Sequence, residues 1–102
     1  MADIRNAVED VLQMLKSRRG RLNSATAQDE YLRMRILAAA DQMESIGMPL
    51  HDNPEDKIFL ADYVDWEYSN RDKPGGMPDW LRLRRRERWL KAQTEKEAEN
   101  DT

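Results

Sequence analysis

The chain has 102 residues, 36% of them charged, with a formal charge of -3 and no cysteine. This length is typical of one domain, and the lack of cysteine excludes disulfide bridges and thiolate metal sites. The charge is too mixed for a general nucleic-acid binder, no apolar run approaches the ~20 residues of a membrane span, and the first residues lack the apolar block of a signal peptide. We therefore expect a soluble protein that stays in the cytoplasm where it is made.

Two amphipathic helices are predicted in the first half of the chain. The first begins after a cap at Asp3 and ends at Gly20. Its apolar face, at three- and four-residue spacing, consists of Ile4, Ala7, Val8, Val11, Leu12 and Leu15. The second begins after a cap at Thr26 and ends at Gly47. Its apolar stripe consists of Leu32, Ile36, Leu37, Ala39, Ala40, Met43 and Ile46.

The third helix starts at Asn53-Pro54, an N-cap residue followed by proline at the first helical position. Most of its circumference is apolar, with Ile58, Phe59, Leu60, Ala61, Tyr63, Val64, Trp66 and Tyr68. Such a helix is normally central in its bundle, and it can also face a neighbouring subunit. Its polar stripe contains Asp62 and Asp65, which we interpret as solvated or as contacts to arginines of a neighbouring subunit. A strand at Tyr63–Tyr68 is the main alternative to this helix.

A loop over Asp72–Met77 precedes the last helix, which has Pro78 in its first turn. Trp80, Leu83 and Leu90 share one face of this helix, with Leu81 and Trp89 beside it. Thr94–Thr102 is acidic and has no apolar anchor, which is typical of a flexible tail. We therefore predict an all-α fold, a small bundle of about four helices with an extended C-terminal helix. Residues 1–93 would form one helical domain and residues 94–102 an acidic tail.

Catalytic and metal-binding chemistry has little support in the sequence. His51 is the only histidine, and no serine or cysteine has a pattern that pairs with it, so we interpret it as a solvated loop residue. The oxygen-rich cluster Asp52–Asp56 lacks the central glycine and distal glutamate of a calcium loop, and a helix start explains it. We expect no enzyme activity, no metal and no cofactor.

The basic run Arg82–Arg88 in the last helix has three interpretations. It can be a solvated face that pairs with Glu87 and the acidic tail. It can contact DNA phosphates, with help from Trp80 and Trp89. It can dock onto an acidic protein surface, because arginine forks pair well with carboxylates. The negative charge of the whole chain favours the protein surface over DNA.

Residues from Leu32 to Leu90 show several features in a characteristic order. An alanine-rich helix, Ile36–Asp41, is followed by a glycine exit and a short polar connector, Met48–Asn53. The next apolar helix ends in an aromatic residue, two residues and an arginine, here Tyr68-Ser69-Asn70-Arg71. A loop then places a proline and an apolar residue at a helix start, in Met77–Leu81. In this pattern the chain resembles the head–tail connector, or adaptor, family of tailed bacteriophages, although its connector is shorter than in many members.

The resemblance implies a helical subunit of a ring, commonly a dodecamer, beneath the portal of a DNA-filled head. Such a ring extends the channel, through which DNA passes without sequence recognition, and presents a surface for the next head-completion or tail protein. The subunit could be monomeric alone and form a ring only on its partner. It would be found in the virion at the head–tail interface and in the host cytoplasm during assembly. A DNA-binding packaging or regulatory protein is the alternative.

Two sets of residues are candidates for protein contacts. Family members often dock onto the portal through their C-terminal helix or tail, which here corresponds to Trp80–Asn100. Tryptophan and arginine are also the usual interface hot spots. The predicted portal- or partner-binding residues are Trp80, Arg84, Arg85, Arg88, Trp89 and Lys91. The predicted subunit-interface or core residues are Tyr63, Trp66, Tyr68, Arg71 and Met77.

Overall fold

The computed structural model describes residues 2–18, 28–70 and 76–100, which form one 3-10 segment and four α-helices. In chain order these are the 3-10 segment Ile4–Ala7, α1 (Val8–Arg18), α2 (Gln28–Ser45), α3 (Pro54–Asn70) and α4 (Asp79–Asn100). The described residues contain no strand, only an isolated bridge between Asp3 and His51. The predicted all-α fold is confirmed. The alternative strand at Tyr63–Tyr68 is wrong, because those residues lie inside α3.

The N-terminus packs against the connector between α2 and α3, the segment Ile46–Asn53. Ile4 N donates to Leu50 O over 3.1 Å, so the first turn is attached to the connector by a backbone hydrogen bond. Asp3 caps this turn as predicted, because its Oδ1 accepts from Arg5 N at 2.8 Å. The chain therefore enters the bundle through a 3-10 segment before the regular α-helix begins.

One face of α2 lies on the core, and its buried residues are Asp29, Leu32, Ile36, Ala39, Ala40 and Met43. Two members of the predicted stripe are exposed instead, Leu37 at 38% and Ile46 at 46%. Leu37 lies at the edge of the stripe, and Ile46 lies beyond the last helical residue. Gly47 has φ +86°, which confirms the predicted left-handed helix exit. The predicted helix end at Gly20 and cap at Thr26 lie outside the described residues.

The central helix is α3, which contacts α1, α2 and α4. Its buried residues are Asp56, Phe59, Leu60, Ala61, Tyr63 and Val64. Asn53 caps it as predicted, since its Oδ1 accepts from Asp56 N at 2.8 Å. Because α3 has neighbours on several sides, its nearly continuous apolar circumference is mostly used inside the subunit. The exception is Ile58, which is 44% exposed.

The last helix, α4, packs on α3 through one narrow stripe. Pro78 O accepts from Leu81 N and Arg82 N at the start of the helix. Leu81, Arg88 and Ala92 are buried, at spacings of seven and four residues that keep them on one side. The helix continues to Asn100, into the segment from residue 94 that we predict as an acidic tail. The division between a domain at 1–93 and a tail at 94–102 stays a prediction.

Candidate protein-docking surface

Arg88 lies inside the subunit, although the sequence predicted it as a partner-binding residue. Its side chain is 8% exposed and that of Asp56 is 3% exposed. Arg88 Nε lies 2.8 Å from Asp56 Oδ1, and Nη2 lies 3.2 Å from Oδ2 and 3.0 Å from the carbonyl oxygen of Pro49. This two-pronged pair holds α4 against both α3 and the connector, so Nε and Nη2 of Arg88 are used within the subunit. Its Nη1 is buried and has no hydrogen-bond partner among the described residues.

Asp56 of α3 also accepts hydrogen bonds from residues of the connector. Its Oδ2 accepts from the backbone N–H of His51 at 2.7 Å and lies 3.4 Å from Asn53 Nδ2. His51 is half-buried, and its Nε2 lies 3.9 Å from Glu95 Oε2. The carboxylate-rich segment at the start of α3 therefore serves the helix start and the attachment of α4. Within the described ranges, no group of three or more histidine, cysteine, aspartate or glutamate side chains could hold a metal ion.

Trp89 and Gln93 of α4 donate to the first two backbone carbonyls of the connector, directly after α2. Trp89 Nε1 donates to Ile46 O over 2.9 Å, and Gln93 Nε2 donates to Gly47 O over 3.0 Å. Backbone carbonyls outside a helix or sheet need partners from elsewhere, and here the side chains of α4 supply them. Trp89 keeps 39% of its surface exposed, but its polar edge is used within the subunit.

A groove of about 380 Å³ runs between α3 and α4, and we refer to it as the α3–α4 groove. It is lined by Glu55, Asp56, Ile58, Phe59, Arg84, Glu87, Arg88 and Lys91. Arg84 pairs with Asp62, which Arg18 also contacts, and its Cζ lies 5.4 Å from the centre of the Trp80 ring. Lys91 Nζ lies 3.6 Å from Glu55 Oε2. Arg84 and Lys91 are 49% and 58% exposed, so the rim of the groove carries accessible cations.

The predicted interface-or-core residues belong mainly to the core. Tyr63 is 3% exposed, and its ring centre lies 5.9 Å from that of Trp66. Burial, followed by the charge of Glu67, raises the pKa of the Tyr63 phenol. Trp66, Tyr68 and Met77 are partly buried and pack against the core cluster. Arg71 lies outside the described residues.

Two outward-facing stripes of apolar side chains remain. On α4, Trp80, Leu83 and Leu90 are 52%, 58% and 48% exposed. On α2, Met34 and Leu37 are 63% and 38% exposed. Each set has the spacing that keeps its members on one side of a helix.

The burial of Arg88 could have been predicted from the sequence. Arg88 follows the core residue Leu81 by seven residues and precedes Ala92 by four, so it falls on their side of the helix. Its partner could not be found in this way, because Asp56 lies on another helix and the same carboxylate also fits a helix start. The hydrogen bond of Trp89 to Ile46 has no sequence signal.

No family model, curated protein or solved structure matches this chain. Among the described helices, none combines the length and the apolar character that crossing a membrane requires. The fold and the surface describe this protein as a small all-α bundle. Its last helix is hydrogen-bonded to the connector on one side and carries exposed apolar residues on the other.

Proposed function

We propose that this chain is a structural subunit of a bacteriophage head–tail connector ring, with no enzyme activity. In this proposal it docks on the portal, extends the DNA channel and presents a surface to the next head-completion or tail protein. It acts in the virion at the head–tail interface and passes through the host cytoplasm during assembly. The order of motifs from Leu32 to Leu90 and the all-α fold support this assignment.

The observation that carries the proposal is the exposed apolar surface around α4. Trp80, Leu83 and Leu90 share one face of α4 and are each 48% to 58% exposed. Exposed apolar residues on one face of a helix are typical of protein-binding sites. A tryptophan beside accessible arginine and lysine side chains is also the usual composition of interface hot spots.

The portal-docking residues are best placed at the rim of the α3–α4 groove. Of the residues predicted from the sequence, Arg84 and Lys91 are exposed there, and Trp80 lies beside Arg84. Nε and Nη2 of Arg88 and the indole N–H of Trp89 form bonds within the subunit. We therefore propose that an acidic segment of the portal contacts Arg84 and Lys91, and that an apolar side chain of that segment contacts Ile58.

The charges of α4 do not by themselves distinguish a DNA-binding protein from one that docks on an acidic protein surface. Four of its cations already have carboxylate partners, in the pairs Arg82–Asp79, Arg84–Asp62, Arg88–Asp56 and Lys91–Glu55. A phosphate and an acidic segment would both compete with these pairs, so the preference for a protein partner rests on the exposed apolar residues Trp80, Leu83 and Leu90. A gel-shift titration against salt distinguishes the two functions, since a steep loss of affinity with rising salt would favour DNA binding.

The direct test is co-migration with a portal protein in size-exclusion chromatography, using the portal encoded beside this chain. We expect binding by the natural subunit and loss of binding by the double variant Arg84→Glu and Lys91→Glu. Gln13→Glu, at an exposed position of α1, is the control. Arg88 is left unchanged because its replacement would break a buried ion pair and confuse loss of docking with loss of fold. If neither portal nor any neighbouring head-completion protein binds the natural subunit, the proposal fails.

A further inference from the structure

We propose that Arg84 is an exchangeable cation of the α3–α4 groove. When an acidic segment docks, Arg84 leaves Asp62 and pairs with a carboxylate of that segment, while Arg18 keeps Asp62 paired. The biological role of this exchange rests on the portal docking proposed above. The exchange itself depends on one arrangement, a carboxylate of α3 that lies between an arginine of α1 and an arginine of α4.

Asp62 links α1 to α4 through its two carboxylate oxygens. Its Oδ1 lies 2.5 Å from Arg18 Nη2, and its Oδ2 lies 2.5 Å from Arg84 Nη1. The Asp62 side chain is only 12% exposed, so water contributes little to the stability of its charge. Because each oxygen has its own arginine, the departure of one arginine leaves the carboxylate paired with the other.

Arg84 and Arg88 differ in what their departure would leave behind. Among the described residues, Asp56 forms an ion pair with Arg88 alone, and both side chains are buried. The loss of Arg88 would leave a buried carboxylate without a cation, which is strongly unfavourable. Arg84 is 49% exposed and lines the groove, so its guanidinium can turn towards a docked carboxylate without opening the fold.

The charge of α4 beside the groove fits an acidic occupant. Residues 80–91 contain six arginine or lysine residues and one carboxylate, Glu87. Glu55 and Asp56 of α3 also line the groove, but each is already paired with a cation of α4. A carboxylate that enters beside Arg84 therefore meets complementary charge, and the planar guanidinium can bind it through two hydrogen bonds.

The exchange makes docking depend on a residue outside the groove. Arg18 does not line the groove, yet it decides whether Arg84 can leave Asp62. Without Arg18, the departure of Arg84 would leave a largely buried carboxylate with no cation among the described residues, so Arg84 would be retained. Without Asp62, Arg84 is free from the start, and Arg18 has no further influence on docking.

The test is a double-mutant cycle in the binding of a probe peptide. The probe is a fluorescein-labelled synthetic peptide in which one leucine is flanked by glutamates, and its binding to the full chain is measured by fluorescence anisotropy. We expect Arg84→Gln to weaken binding about tenfold and Arg18→Gln about fivefold, because coupled charges commonly differ by such factors. In the Asp62→Asn background, Arg18→Gln should leave the affinity unchanged.

Arg33→Gln is the matched control for the loss of one positive charge. Arg33 is 33% exposed and Arg18 is 36% exposed, and Arg33 pairs with Glu9 and Glu30, which do not line the groove. This variant should change the affinity for the probe peptide by less than about twofold, since its charge is far from any exchange. A loss equal to that of Arg18→Gln would show that only net charge matters and would overturn the proposal.

A second cycle needs no ligand and no variant of Asp62. In urea unfolding, Arg84→Gln should raise the unfolding equilibrium constant about fivefold more in the Arg18→Gln background than in the natural chain. The reason is that Asp62 then loses its last arginine. Equal effects in the two backgrounds would overturn the proposal.

The remaining outcomes of the peptide cycle also decide the question. The exchange is wrong if Arg18→Gln weakens binding equally with and without Asp62, if either arginine variant binds as the natural chain does, or if the natural chain does not bind the probe peptide. Portal binding by the natural chain tests the connector function separately. Portal binding with no coupling in the cycles would leave the connector function and remove the exchange, and coupling without portal binding would do the reverse.

Discussion

The inner and outer sides of α4 differ in what their arginines contact. On the inner side, Arg88 is buried and bonded to Asp56 and to the carbonyl oxygen of Pro49. On the outer side, Arg86 is exposed between Leu83 and Leu90. The two residues are identical in chemistry and two positions apart in sequence. The comparison shows that the arginine-rich character of a helix does not indicate binding by itself, since one arginine stabilises the subunit while the other is accessible to a partner.

The largest effect should come from breaking the buried pair. Asp56→Ala leaves the Arg88 guanidinium buried without its carboxylate, and we expect a loss of about 3–5 kcal/mol in the free energy of unfolding. Urea unfolding followed by circular dichroism measures this loss. The double variant Asp56→Leu with Arg88→Met should be markedly more stable than Asp56→Ala, because it removes both charges. A loss below ~1 kcal/mol for Asp56→Ala would be typical of an exposed pair and would contradict the burial of this one.

A smaller loss in the free energy of unfolding is expected directly after α2, where side chains of α4 donate to Ile46 O and Gly47 O. Gly47 has φ +86°, a conformation that costs other residues about 1–2 kcal/mol, so Gly47→Ala should lower the unfolding free energy by about that amount. A Cβ atom there would lie 3.4 Å from Gln93 Nε2, so the strain comes from the backbone and not from a clash. Gly76→Ala, where a Cβ atom would meet nothing within 4 Å, is the matched control for thermal unfolding.

The hydrogen bond of Trp89 should contribute less. Trp89→Phe keeps an aromatic ring but removes the donor to Ile46 O, and we expect a loss of about 0.5–1.5 kcal/mol. Chemical unfolding measures the loss. Trp80→Phe on the outer side should cost less, because Trp80 is 52% exposed. Equal losses for both tryptophan variants would show that α4 is not attached through Trp89.

The smallest effect on stability is expected on the outer face of α4. Leu83→Ser should change the unfolding free energy by less than about 0.5 kcal/mol, because the side chain is 58% exposed. The same variant should clearly weaken portal binding in size-exclusion chromatography. A loss of stability without a change in portal binding would show that Leu83 packs within its own subunit.

Local features of the helices could be predicted from the sequence. The caps at Asp3 and Asn53 and the glycine exit at Gly47 were identified correctly, because each depends on a few neighbouring residues and on backbone geometry. The central position of α3 could also be predicted, since apolar residues surround most of it. The docking set was harder to predict. Arg88 and Trp89 have the composition of hot spots, and only their neighbours across the fold distinguish them from Trp80 and Lys91.

The sequence by itself determined the helices, because the spacing of apolar residues and the chemistry of helix ends act over a few residues. The tertiary structure decided which side of α4 faces inward and which charges are already paired. Those outcomes depend on Asp56, Pro49 and Ile46, which lie 32 to 43 positions away from their α4 partners in the chain. An ion pair or hydrogen bond over such separations depends on how the helices pack, and residue spacing within a single helix carries no information about it.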